Sequence, residues 1–151
     1  MANQTQRPDT ALHNTSHLMQ YHDLIESIVA AMDARDAYTS KHSDRVADMV
    51  LVLATALDLS EDETTLLHMA AHLHDIGKIA VPDSVLRKAG PLTNPEWEEM
   101  RRHPVTGYEI LRKVDDFKEI AVLVRHHHER WDGRGYPDGL RGADIPLGSR
   151  I

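Results

Sequence analysis

Residues Leu66–Leu86 read LLHMAAHLHDIGKIAVPDSVL, and the fold class turns on this stretch. Leu66, Leu67, Ala70 and Leu73 recur at three- and four-residue steps, which places them on one face of a helix. Ser60 and Glu63 just upstream have the S-x-x-E spacing of a capping box, in which side chains satisfy the orphan donors of a helix start. The helix is predicted to reach Ile76, with Gly77 closing it in the left-handed conformation.

The same periodicity extends in both directions. A helix is predicted from about Ser40 to Leu57, with Val46, Val50, Leu53 and Leu57 inward, interrupted by Asp58-Leu59-Ser60. Residues 16–38 form an amphipathic helix carrying Leu18, Tyr21, Ile25, Ile28 and Met32 on one side. That stripe fits packing on its own domain or a short homodimer seam of about two heptads. Residues 1–15 are polar and are expected to be a disordered lead-in.

Downstream, Thr93 and Glu96 repeat the capping-box spacing before a helix containing Trp97 and Met100. Pro104 stands where a first helical turn tolerates proline, followed by Val105, Tyr108 and Leu111. Asp116 is expected to cap a further helix through Ile120, Leu123 and Val124 to a histidine triplet. From Glu129 to Gly148 the glycines at 133, 135, 139, 142 and 148, with Pro137 and Pro146, predict a loop. No alternating strand pattern occurs, so the fold class is all-α, with a domain over residues 39–151.

Composition narrows the function. The chain has 151 residues, no cysteine and a formal charge of −7. Absence of cysteine excludes a disulfide framework, a thiolate metal site and a cysteine nucleophile. The acidic balance argues against a nucleic-acid polymer or an anionic membrane as partner. No apolar run approaches the roughly 20 residues of a membrane span, and a cytoplasmic location is expected. The anomaly is 11 histidines against two tryptophans, four tyrosines and one phenylalanine. Imidazoles without thiolates suit borderline metals shared with carboxylates.

His74-Asp75 is the centre of that chemistry. Neighbours on a regular helix point about 100° apart, but at a helix end both can turn toward one ion. A carboxylate can bridge two ions with its two oxygens; an imidazole cannot. Further donors are available at predicted helix ends in His42, His103 and the triplet His126-His127-His128. His68 and His72, four apart on one face, have the spacing of a metal pair, yet they lack the glutamate of H-E-x-x-H and lie beside a leucine-rich stripe. His13, His17 and His22 are read as ordinary histidines.

The segments HSDRV, LLHMAAHLHDIGKIAVPDSVL, MRRHPVTGYEIL and VRHHHERWDGRGYPDGLRGADIPLGSRI, in that order over residues 40–151, resemble the HD-GYP subgroup of the HD-domain metal-dependent phosphohydrolases. The resemblance implies an HD-type helical bundle with a glycine-rich GYP loop, and hydrolysis of cyclic di-GMP to pGpG or GMP with iron or manganese. By position it implies His42, His74 and Asp75 as ligands of a first metal, with Asp75 bridging to a second held by His103, His127 and His128. His126 falls outside the pattern. Lys78 matches a lysine that meets the substrate phosphate. Tyr38 stands where trinuclear members have a glutamate, so a third metal is not expected.

Other residues are assigned lesser parts. Tyr136, with Gly133, Gly135 and Pro137, is expected to shape the loop beside the site and to act indirectly; that loop is also a candidate surface for a protein partner. Arg45, Arg130 and Arg134 are candidate phosphate contacts, and Asp132 is read as a turn residue. The family pattern continues past SRI into helices with a further metal-binding aspartate, so the domain is expected to lack its terminal helices and to hold a lone ion at the second position. Two other readings accompany the phosphodiesterase: a catalytically impaired metal-binding or protein-interaction module, and a generic HD nucleotide phosphohydrolase.

Overall fold

The computed structural model describes residues 19–35 and 42–151. The predicted lead-in, Leu18, Tyr38 and the start of the second helix at Ser40 lie outside them. The described residues are helical and contain no strand. A 3-10 turn, Met19–Tyr21, leads into α1 (His22–Arg35), followed by α2 (His42–Ala56) and α3 (Glu61–Leu73). After the short α4 (Asp83–Leu86) come α5 (Asn94–Met100), α6 (His103–Leu111), α7 (Lys118–His126) and the single turn α8 (Leu147–Arg150). No helix among the described residues is long and apolar enough to cross a membrane.

α3 is the central helix, with α1, α2 and α7 packed around it. Its start is the expected capping box: the Glu63 amide donates to Ser60 Oγ at 3.3 Å and the Ser60 amide to Glu63 Oε2 at 2.9 Å. The box predicted at Thr93 and Glu96 also forms. The main core joins Ile25 and Val29 of α1, Met69, Ala70 and Leu73 of α3, Leu111 of α6 and Ile120, Ala121 and Val124 of α7. The stripe on α1 thus packs within the chain, although Val29 is buried where Ile28 was expected; Ile28 is 37% exposed.

α2 is rotated from the expected setting. Ser43, Ala47, Val50 and Ala54 face inward, while Leu53 and Leu57 are 39% and 52% exposed. Small residues let α2 approach α3 closely, with Ala47 and Val50 against Leu67 and Ala71. Choosing the largest apolar residues as the inward set misplaces this face, because close-packed interiors select shape as well as hydrophobicity. The break between the helices falls at Asp58, in the left-handed region at φ 53°.

Gly77 does not close α3. The helix ends at Leu73 with His74 as its C-cap, and Gly77 lies inside a 3-10 turn over Ile76–Ala80 without a positive φ. Its missing side chain serves an approach instead. A Cβ there would overlap the His103 carbonyl and come 2.6 Å from the Gly107 nitrogen. Gly107 is similarly tight, with Val124 Cγ1 2.9 Å from where its Cβ would be. Paired glycines therefore seat the turn after Asp75 directly on α6.

Asp116 is not a helix cap either. It lies in a 3-10 turn, Asp115–Phe117, and accepts a hydrogen bond from the Tyr21 hydroxyl at 3.4 Å, while Phe117 occupies the N-cap of α7 without a side-chain bond. The region from Glu129 is a loop as expected, except for a 3-10 turn at Gly142–Asp144 and the start of α8 at Leu147.

Arg35, at the end of α1, ties the 3-10 turn down. Its guanidinium donates to the carbonyls of Lys78 (3.1 Å), Ile79 (2.8 Å) and Val81 (2.7 Å), and to Asp83 Oδ1 at 2.7 and 3.0 Å. Charge-assisted bonds of this kind contribute about 1.5–3 kcal/mol. Arg35→Ala should therefore lower stability by roughly 2 kcal/mol, read as a drop in urea midpoint. Gly77→Ala should cost about 3 kcal/mol, as overpacking against backbone that cannot yield. Gly90→Ala, where an added Cβ meets nothing within 4 Å, should stay within about 0.5 kcal/mol of the parent.

Candidate metal centre

The end of α3 places His74 and Asp75 in different backbone states. His74 is still helical, whereas Asp75 has φ −98° and ψ 6°, in the bridge region. The two side chains are thereby freed from the helical angle between neighbours. His74 Nε2 lies 3.2 Å from Asp75 Oδ2, and His103 Nε2 lies 3.4 Å from Asp75 Oδ1. One carboxylate thus faces two imidazoles with separate oxygens. Lys78, one turn on, donates from Nζ to Asp75 Oδ2 at 2.7 Å.

Three of the histidines share one local device. The Nδ1 atoms of His74, His103 and His127 lie 2.7, 2.8 and 2.6 Å from the carbonyl oxygens of Ala71, Met100 and Val124. In each case the partner is three residues back, so a helix end supplies an acceptor that is otherwise unsatisfied. A carbonyl only accepts, so Nδ1 carries a proton in all three; in neutral His103 and His127 this leaves Nε2 as a lone pair, whereas His74 Nε2 faces the Asp75 carboxylate as a hydrogen-bond partner. His103 Nε2 and His127 Nε2 then face each other at 3.3 Å. Two neutral rings with these tautomers have no proton to put between them. A cation resolves that geometry, and the Nδ1–H···O=C bonds are the outer contacts that orient metal-binding imidazoles.

Electrostatics act in the same direction. Burial, then the neighbouring His128 and His74, pushes the His127 pKa down to about 2, and burial with His103 brings His128 to about 4. His103 and His42 are lowered too, mainly by burial. These rings are neutral near pH 7, the state a metal requires. Burial also opposes the charged form of His74, but the hydrogen bond and charge of Asp75 outweigh it and raise the pKa. Asp75 is driven far below the usual carboxylate range: burial works against ionisation, and His74 and Lys78 overcome it.

All six residues expected as ligands come together. Donor atoms of His42, His74 and Asp75 lie within 4.8 Å of one another, as do those of His103, His127 and His128. Ring contacts join the sets, from His42 to His74 (5.4 Å), His74 to His127 (5.3 Å) and His127 to His103 (5.2 Å). The donor chemistry therefore fits divalent ions held by imidazole and carboxylate. A cleft of about 650 Å³ borders His74 and His127 and is lined further by Val46, Val50, Trp131 and Arg150. His68 and His72 are not part of this set; they group with His22.

The loop after α7 braces the site. Tyr136 stacks on the His128 ring at 4.8 Å, and the Arg101 guanidinium lies over the Tyr136 ring at 5.6 Å. Burial raises its phenol pKa to about 12, so it packs as a neutral ring. Gly135 permits the loop to pass over residues 128–130, where a Cβ would come 2.5 Å from Glu129 Cα. Glu129 accepts from the amides of Asp138 (2.7 Å) and Gly139 (3.0 Å). Asp138 in turn accepts from Arg125 at 2.7 Å twice and pairs with His126 Nε2 at 2.9 Å. His126 is thus a loop clamp, consistent with its place outside the pattern.

The arginines are less convergent. Arg130 is paired with Asp132, which also accepts from the Arg134 amide at 3.0 Å, the turn role read for Asp132. Arg45 and Arg134 are exposed. The bracing parts of Glu129, Asp138 and Arg35 escape sequence reading, since Glu129 and Arg35 bond backbone, and Asp138 bonds the Arg125 and His126 side chains, of segments with no periodic relation to them. The only cue is an acid directly following the histidine run.

A family model described as HD domain matches residues 23–151. A cyclic di-GMP phosphodiesterase response regulator of Xanthomonas campestris is 46% identical over 131 residues, covering 85% of this chain and 35% of the relative. A 3'3'-cGAMP-specific phosphodiesterase of Vibrio cholerae is 42% identical over 134 residues, covering 85% and 25%. A cyclic di-GMP phosphodiesterase of Thermotoga maritima is 38% identical over 131 residues, covering 85% and 36%. The chain spans between a quarter and about a third of the length of these relatives. With its helical bundle, its His-Asp pair and the GYP loop against His128, the chain belongs to the HD-domain family, in the HD-GYP group.

Proposed function

We propose that the chain is the hydrolytic domain of a cyclic-dinucleotide phosphodiesterase, with cyclic di-GMP as substrate and iron or manganese as the resident ions. The observation that carries this reading is the facing pair of Nε2 lone pairs on His103 and His127, 3.3 Å apart beside Asp75. His103, His127, His128 and Asp75 would hold one ion, and His42 and His74 with the second Asp75 oxygen would hold another. Four donors converge on the first of these and three on the second, which favours the former when a lone ion is bound. Divalent ions in such a pair supply Lewis acidity toward the phosphodiester and a lowered pKa for water.

The remaining work falls to the chain's own groups. Asp75 positions both halves of the donor set through its separate oxygens. The Lys78 ammonium, 2.7 Å from Asp75, is a point charge within reach of a phosphate oxygen as negative charge develops. Tyr136 holds the His128 ring in orientation. Arg134, on the exposed side of the loop, is assigned a contact with the substrate that affects binding more than turnover. The rigidly braced loop, with Trp131 65% exposed, suits a docking surface for a protein partner, and the exposed Leu24 and Ile28 suit a homodimer contact. A cytoplasmic location follows from the substrate class.

The relatives' names support both cyclic di-GMP and 3'3'-cGAMP as substrates of such domains, so the assay must offer both. Protein loaded anaerobically with Fe²⁺ or with Mn²⁺ should convert cyclic di-GMP to pGpG or GMP and leave an unrelated phosphodiester largely intact. Preference for 3'3'-cGAMP would reassign the substrate. Lack of turnover on any cyclic dinucleotide by metal-loaded protein would sink the phosphodiesterase reading in favour of a binding module.

Variants separate the roles. Lys78→Ala should retain its metal and lose about 10²-fold or more in kcat. His103→Ala should lose metal as well as activity, measured by elemental analysis beside the assay.

Acid stability gives an independent check. The pKa values of His42, His72, His103, His127 and His128 are lowered from 6.5 in the fold. Below pH 6.5 the unfolded chain therefore binds more protons than the folded one at these positions, and stability falls with pH. His74 is raised and acts oppositely, its contribution being present below 6.5 and lost as pH rises through its folded value. Asp75, lowered from 3.8, enters only near and below that pH. The depressed imidazoles outnumber the raised one, so the urea midpoint in EDTA should drop between pH 7 and pH 5. An unchanged or higher midpoint at pH 5 would contradict the neutral-imidazole assignment.

A further inference from the structure

A second group of three imidazoles lies outside the centre described above. His22 is the first residue of α1, and His68 and His72 stand one turn apart on α3. Ligand nitrogens of the three lie within 4.8 Å of one another. The rings contact each other, with centroids 5.8 Å apart for His22 and His68, 5.7 Å for His22 and His72 and 4.7 Å for His68 and His72. Among the described residues, no ring contact joins this trio to the His42–His74–His127–His103–His128 series.

The polar atoms of the trio are poorly used by the protein itself. The Nδ1 atoms of His68 and His72 are buried and have no hydrogen-bond partner. His72 is only 6% exposed, and the nearest acceptor of its Nδ1, Asp44 Oδ1 on α2, is at 3.8 Å, beyond hydrogen-bond reach. Burying an imidazole nitrogen without a partner is unfavourable, because its hydration is lost with nothing in exchange. A carboxylate also stands beside His22, with Glu26 Oε1 3.6 Å from His22 Nδ1. Three imidazole nitrogens within 4.8 Å of one another, with a nearby carboxylate, form the donor set of a tetrahedral site for a borderline divalent cation. Histidines at i and i+4 on one helix face are the usual half of such a site, and His22 from α1 adds a third ring against both.

We propose that His22, His68 and His72 form a second metal site, separate from the candidate hydrolytic centre, which takes Zn²⁺ or a cation of similar preference and clips the start of α1 onto α3. Glu26 or Asp44 supplies the fourth donor. The placement has a structural consequence. α1 is already tied at its other end, where Arg35 grips the carbonyls of Lys78, Ile79 and Val81. An ion at His22 would fix both ends of the helix that anchors the turn carrying Lys78.

Zn²⁺ itself is the probe. After dialysis of metal-stripped protein against low micromolar Zn²⁺, elemental analysis should find one more ion per chain in the parent than in His68→Gln or His22→Gln, each checked for native far-UV circular dichroism. The double variant His103→Ala/His127→Ala, which removes donors of the hydrolytic centre, should keep that ion. It should still show a Zn²⁺-dependent rise in Tm that disappears on adding His68→Gln. Co²⁺ in the same protein should give tetrahedral visible bands that the His68→Gln change removes. Equal Zn²⁺ content in the parent and in both folded glutamine variants would overturn the site. So would a Tm response in the double variant that survives His68→Gln. Neither result bears on cyclic-dinucleotide hydrolysis, which is tested separately.

Discussion

The Asp75 carboxylate, set between His74 and His103 at 3.2 and 3.4 Å, is the interaction around which the rest of the site is arranged. A buried charge of this kind persists only when partners compensate its lost hydration. The imidazole at the end of α3 and the Lys78 ammonium one turn later supply that compensation, and a histidine from α6 stands as the third neighbour. Two of these are local to Asp75. The third requires α6 to lie against the turn after Asp75, and the Gly77–Gly107 contact is what permits that approach. Backbone shape and site electrostatics are one constraint seen from two sides.

Helix ends do most of the chemical positioning. His74 is the C-cap of α3, His127 the C-cap of α7, and His103 opens α6 immediately after α5. Each donates from Nδ1 to a carbonyl three residues back. The same bond satisfies a terminal carbonyl and, in His103 and His127, selects the tautomer that leaves Nε2 free. Metal-binding geometry is thereby built from the leftover valences of short helices, and the glycine-rich loop adds a ring stack on His128 to complete it.

Much of this could be read from residue order. The two capping boxes, proline at the start of α6 and the loop after His128 all follow from local chemistry that acts within a few residues. The His-Asp pair at a helix end, with His42, His103 and the triplet His126-His127-His128 at other helix ends, was legible as a candidate metal centre from side-chain chemistry, while the choice of His127 and His128 within the triplet came from the resemblance to the HD-GYP group. Periodicity was less reliable on α2. There Leu53 and Leu57 looked like core, yet Ala47 and Ala54 are buried, since proximity to α3 favoured small side chains over large ones. Gly77 was assigned to a cap because that is the commonest local use of glycine after a helix, whereas its actual use depends on α6, some 26 residues away in sequence at His103. The trio His22, His68 and His72 was likewise invisible as a group, because His22 reaches the other two only through the packing of α1 on α3.

The sequence by itself determined the all-α class, where most helices start, and which side chains are able to hold a metal, because capping, breaker residues and side-chain chemistry act locally. Tertiary structure alone decided which donors meet, which tautomers they take and which glycines are indispensable. Those outcomes depend on distances between residues far apart in the chain, set when α1, α2, α6 and α7 close on α3 and buried polar groups are confined to the partners within reach.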